Sequence, residues 1–453
     1  MTLDARCVER HVGSTIAALG CLFAAAYLAS VVMFPKPGGR VVIGDALHHY
    51  VQLRSAVFDR DLHFRNEYVR MYGLQGNEPG TDWIYQGTAT GHVRNLMPVG
   101  PAIVWAPAFL FATGLAWIGQ FVGWHYPMDG YGRLFQTTAA VSGIAAAAGG
   151  IWFAFLAAAE LFGRRAAAWS AIVLWLSSSA IYYSAISPAY SHAASLLANG
   201  LFWLAFVRSR NESSVRRYAL LGALAGVAAL MRWQDAVLLA VPAINLVWNL
   251  WQQRLARTVA LGAVTVFFAL LAFTPQMLVW QTLYGQPFAI PQGESFMRWG
   301  QPALFAVLFS DWHGLFTWTP AVAIAVLGLP FLWRRDRLVF AASVTFVLLS
   351  WYVNAAAADW WAGEAFGARR FISCIPVFVL GLGALIDRWS PSMRTLSFCA
   401  MLVIVHTFLL LAQYQLFMHG VRDVVPYPRG AYSLWLARFV VPFKLLTSWC
   451  CEP

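Results

Sequence analysis

Gly44-Asp45-Ala46-Leu47-His48-His49-Tyr50 gathers a carboxylate, two imidazoles and a phenol directly after the first long apolar segment. Read as a helix running on through Arg54 towards Asp61, it places Ile43, Ala46, Leu47, Tyr50, Leu53 and Val57 on one side. Asp45, His48, Gln52, Ser55 and Asp59 fall on the other. The pattern predicts a helix lying on a membrane, with Asp45 available for acid–base work at the lipid–water boundary. Its place after Gly44 also fits an N-cap, and the two roles are compatible. A carboxylate held by backbone donors stays ionised at neutral pH, as a base that takes a hydroxyl proton must. Asp59 and Asp61 are expected to be solvated or paired with Arg60 and Arg65. His48 and His49 could join Asp45 in holding a metal, but nothing else in the chain has ligand spacing. Hydrogen-bonded histidines are therefore expected, and no divalent metal cofactor is indicated.

Other polar clusters interrupt apolar sequence. Ser187-Pro188-Ala189-Tyr190-Ser191-His192 reads as a helix break with a capped restart, and its His192 is placed to bind substrate or steady a carboxylate. Arg232 and Asp235 are expected to pair, because a charge at a membrane boundary needs an internal partner or a pathway role. The 285–293 segment, with Arg298-Trp299 after it, reads as a glycine-turned loop with an aromatic platform. The stretch Asp359-Trp360-Trp361-Ala362-Gly363-Glu364 leads into Ala365-Phe366-Gly367-Ala368-Arg369-Arg370. Two arginines on a face that loop charge alone would not give them call for an anionic partner. A phosphate fits, with guanidinium matching it bidentately and the indoles against a sugar or a polyprenyl chain.

These segments must be positioned by membrane helices. The 453 residues are 60% hydrophobic and 11% charged, with mean hydropathy +0.60, which excludes a soluble globular class. Apolar runs of about 17 to 25 residues, each able to cross ~30 Å of hydrocarbon, recur along the chain. The first, near 13–34, is expected to be an uncleaved anchor. The net charge of +11 is almost all arginine, Lys36 and Lys444 being the only lysines, and points to basic cytoplasmic loops and anionic lipid, not nucleic acid. The cysteines show no metal-type or disulfide pattern; Cys450-Cys451 is read as a bland tail.

The expected fold is an all-α polytopic bundle of about eleven spans. Segment 98–120, opening Pro98-Val99-Gly100-Pro101 and carrying Pro107, is expected to be re-entrant or interfacial. That reading brings the arginine clusters to one cytoplasmic side and the loops with unusual residues to the other. One membrane domain over 1–416, with a large first outer loop at 35–97 carrying juxtamembrane helices, would precede an amphipathic tail at 417–453.

Several segments in succession resemble the GT-C membrane glycosyltransferases, in particular bacterial relatives of the protein O-mannosyltransferases and of the lipid A aminoarabinose transferase. They are Gly44-Asp45 with His49-Tyr50, Met97 to Pro101 with Ala106-Pro107, Leu161 to Arg165, Tyr190 to His192, Tyr284-Gly285 with Pro291 to Gly293, and Ala365 to Arg370. The resemblance implies a GT-C-like bundle and transfer of a sugar from a polyprenyl-phosphate donor, on the non-cytoplasmic face, to a lipid, glycan or protein acceptor. Asp45 matches the family's base. The second acidic residue of many relatives is absent: Ala46 stands beside Asp45, and the later loop offers His192.

On this reading Asp45 is catalytic, and His48, His49, Tyr50, His192, Arg298, Trp360, Trp361, Glu364, Arg369 and Arg370 bind substrate, in a single inverting displacement. A bacterial inner membrane, with the site facing the periplasm, is the expected location. The alternatives are a flippase or transporter of lipid-linked sugars, disfavoured by the lack of internal repeats, a glycan polymerase or ligase using a polyprenyl-pyrophosphate donor, and a non-catalytic assembly subunit.

Overall fold

A computed structural model describes residues 3–34, 40–72, 85–248, 254–420 and 425–440. Lys36, Lys444, Cys450-Cys451 and the end of the tail lie outside them, as does part of the 35–97 loop. The described residues are mostly helical, and they hold only isolated β-bridges, Gly87 to Val93 and Met297 to Ala357. The main helices begin with α1 (Leu3–Met33), α2 (Asp45–Arg54), α3 (Arg65–Tyr72), α4 (Gly100–Phe121), α5 (Arg133–Ala159) and α6 (Arg164–Leu176). There follow α7 (Ser191–Arg208), α8 (Val215–Met231), α9 (Leu255–Tyr284), α10 (Arg337–Ala356), α11 (Ile375–Trp389) and α12 (Met393–Met418). Among the described residues seven helices are long and apolar enough to cross a membrane. The protein is an all-α integral membrane protein.

The expected spans at 166–186 and 303–333 are broken. Helix α6 stops at Leu176, and the later stretch divides into Ala306–Phe309, Leu315–Trp318 and Pro320–Gly328. His313 is left-handed (φ 64°) and Pro320 starts its own helix, so neither continues the one before. Segment 98–120, expected to be re-entrant or interfacial, forms a single helix: α4 runs unbroken through Pro107 and does not turn back. A proline costs one backbone bond and a local clash, which a long apolar helix tolerates. The arginine alternation built on a re-entrant segment therefore no longer fixes which face is which.

The chain divides into two compact units. One comprises 1–12, 151–182 and 297–453. In it α11 is buried almost throughout and packs against α6 and Pro320–Gly328. Helix α10 starts where the Asp336 carboxylate accepts from Val339 N (3.0 Å), and α12 where Ser392 Oγ accepts from Thr395 N (3.1 Å). Among the described residues of the tail, Val425, Leu434, Ala437 and Arg438 are buried in this unit.

The other unit comprises 13–150 and 183–296. Gly222 and Gly226 present bare backbone to the carbonyls of Thr265 and Ala269, so α8 and α9 pack at a distance no side chain there would allow. Helix α2 is not the surface helix its sequence predicts. Ala46 to Arg54 are all buried, His48, His49, Gln52 and Arg54 included. Arg54 explains how polar residues are accommodated. Its Nη1 meets Glu67 Oε1 at 2.9 Å and also bonds Asp59, its Nε donates to Asp129 O (2.9 Å), and it lies 4.2 Å from the Tyr131 ring. Asp59 thus pairs with Arg54, not with Arg60 or Arg65, and Asp61 accepts from Ser55 Oγ (2.7 Å) and His63 N (3.1 Å).

Burial pushes the Glu67 carboxyl up to about 7, with Arg54 pulling the other way. Arg54→Met would leave the buried Glu67 carboxyl without its cation and beside Asp59, at an expected loss of about 3–5 kcal/mol. Arg54→Met with Glu67→Leu is expected to recover most of it. Thermal unfolding of the purified protein in detergent checks both, and an unperturbed single variant would refute the assignment.

Candidate functional site

Gly44 fixes how α2 begins. It is the N-cap with φ 59°, and a Cβ there would lie 2.5 Å from the Tyr190 hydroxyl, so conformation and space both demand glycine. Asp45 is therefore the first helical residue and not the N-cap expected from sequence; no side chain caps this helix. Asp45 is half-buried at the one end of α2 that reaches solvent. A carboxylate in a first turn is favoured by the helix dipole.

The two histidines behind it face inward. His48 Nδ1 lies 2.9 Å from Tyr68 OH and its Nε2 3.0 Å from Tyr72 OH, so one nitrogen donates and the other accepts whichever tautomer is present. His49 Nδ1 donates to Pro98 O (2.8 Å), while its buried Nε2 has no hydrogen-bond partner among the described residues. The adjoining ring of Trp105, 6.0 Å away edge-on, carries an equally unpaired N–H. Tyr50 is buried and donates to Gly130 O (2.6 Å). His48, His49 and Tyr50, expected to bind substrate, are thus turned into the unit and anchor α2. Asn95 Nδ2 (2.8 Å) and Gln52 Nε2 (3.1 Å) both donate to His48 O, and Gln52 also bonds Met97 O.

The 187–192 loop meets the start of α2 through Tyr190 at Gly44. His192, buried at the start of α7, packs 4.5 Å from the Tyr183 ring and takes a bond from Arg232 Nη1 to Nδ1 (2.7 Å). Asp235 Oδ2 accepts from Ser195 Oγ (2.5 Å) and Asn199 Nδ2 (3.0 Å). Arg94 and Arg232 act electrostatically on His48 and His49, as does Asp45. Tyr68, Tyr72 and Arg94 belong to this site and were not among the residues singled out from sequence; Tyr190 was read there only as part of the 187–192 segment. The four-residue spacing of Tyr68 and Tyr72, which puts both on one face of α3, was the available signal.

The remaining expected residues lie in the other unit. Arg370 Nη2 meets Asp359 Oδ1 at 2.6 Å and its Nη1 donates to Asp359 O (3.0 Å), so the arginine offered to a phosphate already holds a carboxylate of its own loop. Arg298 is exposed, and its backbone N–H is bonded to Ala356 O (2.6 Å). Trp361 stacks on Trp312 (5.0 Å), which carries Arg429 at 4.5 Å, and Trp360 stands edge-on to Trp361. His313 is held between Trp361 O (2.7 Å) and Tyr427 OH (2.6 Å). Burial takes His313 down to about 4, helped by the charges of Arg369 and Arg429. Glu364 is exposed.

Comparison with solved structures bears on the fold. The chain superposes on ArnT from Cupriavidus metallidurans in the apo state with a TM-score of 0.52 at 17% identity, over 95% of this chain and 74% of that one. The chain has a GT-C fold. A weaker likeness, TM-score 0.48 at 12% identity, joins 97% of the chain to 54% of the archaeal oligosaccharyltransferase AglB from Archaeoglobus fulgidus, solved with an inhibitory peptide and a dolichol-phosphate. No protein-family profile and no curated protein matches the sequence. The GT-C fold agrees with the sequence resemblance.

Burial lowers His48 and His49 from 6.5 to about 4, outweighing the pull of Asp45. In the unfolded chain these imidazoles take up protons as pH falls through 6.5, while the buried rings stay neutral until near 4. Stability is therefore present above 6.5 and lost as pH falls towards 4. Thermal midpoints measured across that window should fall steadily, and His48→Gln should flatten the slope.

Proposed function

We propose that the chain is a GT-C glycosyltransferase that moves a sugar from a polyprenyl-phosphate donor to a hydroxyl of a lipid, glycan or protein acceptor. The observation that carries the reading is Asp45. It is the half-exposed first residue of a helix whose every other position is buried and held, in a chain that has the GT-C fold. A base in such a setting keeps its place while substrates come and go.

In the proposed step the acceptor oxygen gives its proton to Asp45 and forms a bond to the anomeric carbon. The bond from that carbon to the phosphate oxygen breaks, and the lipid phosphate leaves with the electron pair, inverting the configuration. Phosphate is a good leaving group, so positioning and positive charge matter more than a strong acid. In the unit that holds Asp45, Arg94 and Arg232 are the cations proposed to answer the donor's charge. Arg298, Trp360, Trp361, Glu364 and Arg369 are proposed substrate contacts of their own unit, with Arg370 holding Asp359. The reaction is proposed for the non-cytoplasmic face of a bacterial inner membrane.

The test is sugar transfer from a panel of labelled polyprenyl-phosphate monosaccharides by membranes containing the wild type or Asp45→Asn. The wild type is expected to release polyprenyl phosphate and label an acceptor. Asp45→Asn should bind donor normally and turn over about 100- to 10,000-fold more slowly. Equal turnover by the variant would remove Asp45 from the chemistry, and movement of intact labelled lipid across vesicles would replace transfer by transport.

A further inference from the structure

A polar cavity lies where α4 gives way to α5. It has a volume of about 360 Å³ and is lined by Arg40, Arg70, Tyr126, Asp129, Tyr131 and Gln136, among others. Both flanking helices are membrane-crossing candidates, so the cavity stands at the level where two spans leave the bilayer. Its walls are fixed. Gln136 Oε1 accepts from Val41 N (2.8 Å) and Val42 N (3.1 Å), Leu134 N donates to Tyr126 OH (3.0 Å), and Tyr131 N donates to Asp129 Oδ1 (2.9 Å).

Its functional groups are of two kinds. Arg40 and Arg70 bring positive charge to one rim, Arg40 steadied by Met71 O (3.1 Å) and Arg70 lying 5.6 Å from the Tyr131 ring. Asp129 brings an acceptor: its second carboxylate oxygen has no partner among the described residues. Guanidinium groups beside a lone acceptor suit a ligand that joins a phosphate to a hydroxyl.

An apolar surface continues from the same cavity. Tyr126 in the wall packs 5.5 Å from Trp124, and Trp124 lies against Gly119 of α4. Beyond it the last turns of α4 expose Trp117, Ile118, Phe121 and Val122, the last two at 74% and 79%. A phosphate site continuous with an aromatic strip at the end of a span is what an amphiphile needs, with its head in the cavity and its chains along the helix.

We propose that this cavity binds the headgroup of an anionic glycerophospholipid, its phosphodiester on Arg40 and Arg70, its headgroup hydroxyl on Asp129 and its acyl chains along the exposed end of α4. The assignment is independent of the transferase reading, because none of its groups is a proposed reactant.

The experiment uses the full chain in nanodiscs of phosphatidylcholine doped with phosphatidylglycerol or phosphatidic acid, with retained lipid counted by native mass spectrometry. The wild type is expected to enrich phosphatidylglycerol over phosphatidylcholine. Arg70→Gln should cut the enrichment about fivefold, and Arg40→Gln with Arg70→Gln about 25-fold. Asp129→Asn should leave phosphatidic acid retention in place and lose the preference for phosphatidylglycerol. Arg70 is exposed, so its single variant tests the charge without a buried change. No enrichment by the wild type, or enrichment indifferent to both arginines, overturns the proposal. Displacement of the lipid by glycerol 3-phosphate at matching concentration overturns the lipid source and leaves a site for a soluble phosphate ester.

Discussion

A buried guanidinium has to be surrounded by acceptors or it unfolds its surroundings, and Arg54 meets that demand by drawing three separate stretches of chain to itself. Asp59, Glu67, the Asp129 carbonyl and the Tyr131 ring come from the turn after α2, from α3 and from the α4–α5 loop. Each contact answers part of the desolvation cost that a lone charge would impose. The direction of α2, and with it the position of Asp45 at its other end, follows from this satisfaction. So does the seat of Tyr131, which forms one wall of the cavity beside α4.

The sequence made α2 legible as a helix and Asp45 as its polar start, but misjudged its surroundings. A period near 3.6 grouped Ile43, Ala46, Leu47, Tyr50, Leu53 and Val57 on one face meant for the membrane; Ala46, Leu47, Tyr50 and Leu53 are instead buried within the protein, while Ile43 is exposed and Val57 only half-buried. The opposite face is buried too, because its partners lie far along the chain. Tyr68 and Tyr72 close over His48, Pro98 over His49, and Met97 and Asn95 over the segment between. A helix whose polar face is matched by polar residues of other elements looks in sequence just like one facing water. Capping was misread for a local reason. With Gly44 at φ 59° against Tyr190, the glycine itself takes the cap position and moves Asp45 into the first turn.

The double arginine at 369–370 shows the same limit from the other unit. Its departure from the usual loop charge was a fair signal that the residues answer to something, yet sequence could not tell a ligand from a neighbour eleven residues earlier. Asp359 takes both η nitrogens of Arg370. Trp361 is likewise shared between stacking on Trp312 and accepting from His313 through its carbonyl. The non-glycine residues His313 and Ala362 both hold left-handed backbone here, at 64° and 62°. Strain of that kind persists only where the surroundings fix it, and here the bonds from His313 to Trp361 and Tyr427 do so.

These features separate two ways of using ionisable groups in a membrane protein. Arg54, Glu67, His48 and His49 are spent on architecture: each is buried, and the imidazoles are held neutral. Their value lies in direction, since hydrogen bonds and ion pairs fix α2 against rotation in a way that apolar packing alone does not. Asp45 is the exception on the same helix, with one side towards solvent and its charge felt by His48, His49 and Tyr72 behind it. A single half-exposed carboxylate at the end of a fully anchored helix gains positional precision from groups that never meet a substrate. Changes at Tyr68 or Tyr72 should therefore act on Asp45 through its placement, whereas a change at Asp45 acts on the proton itself.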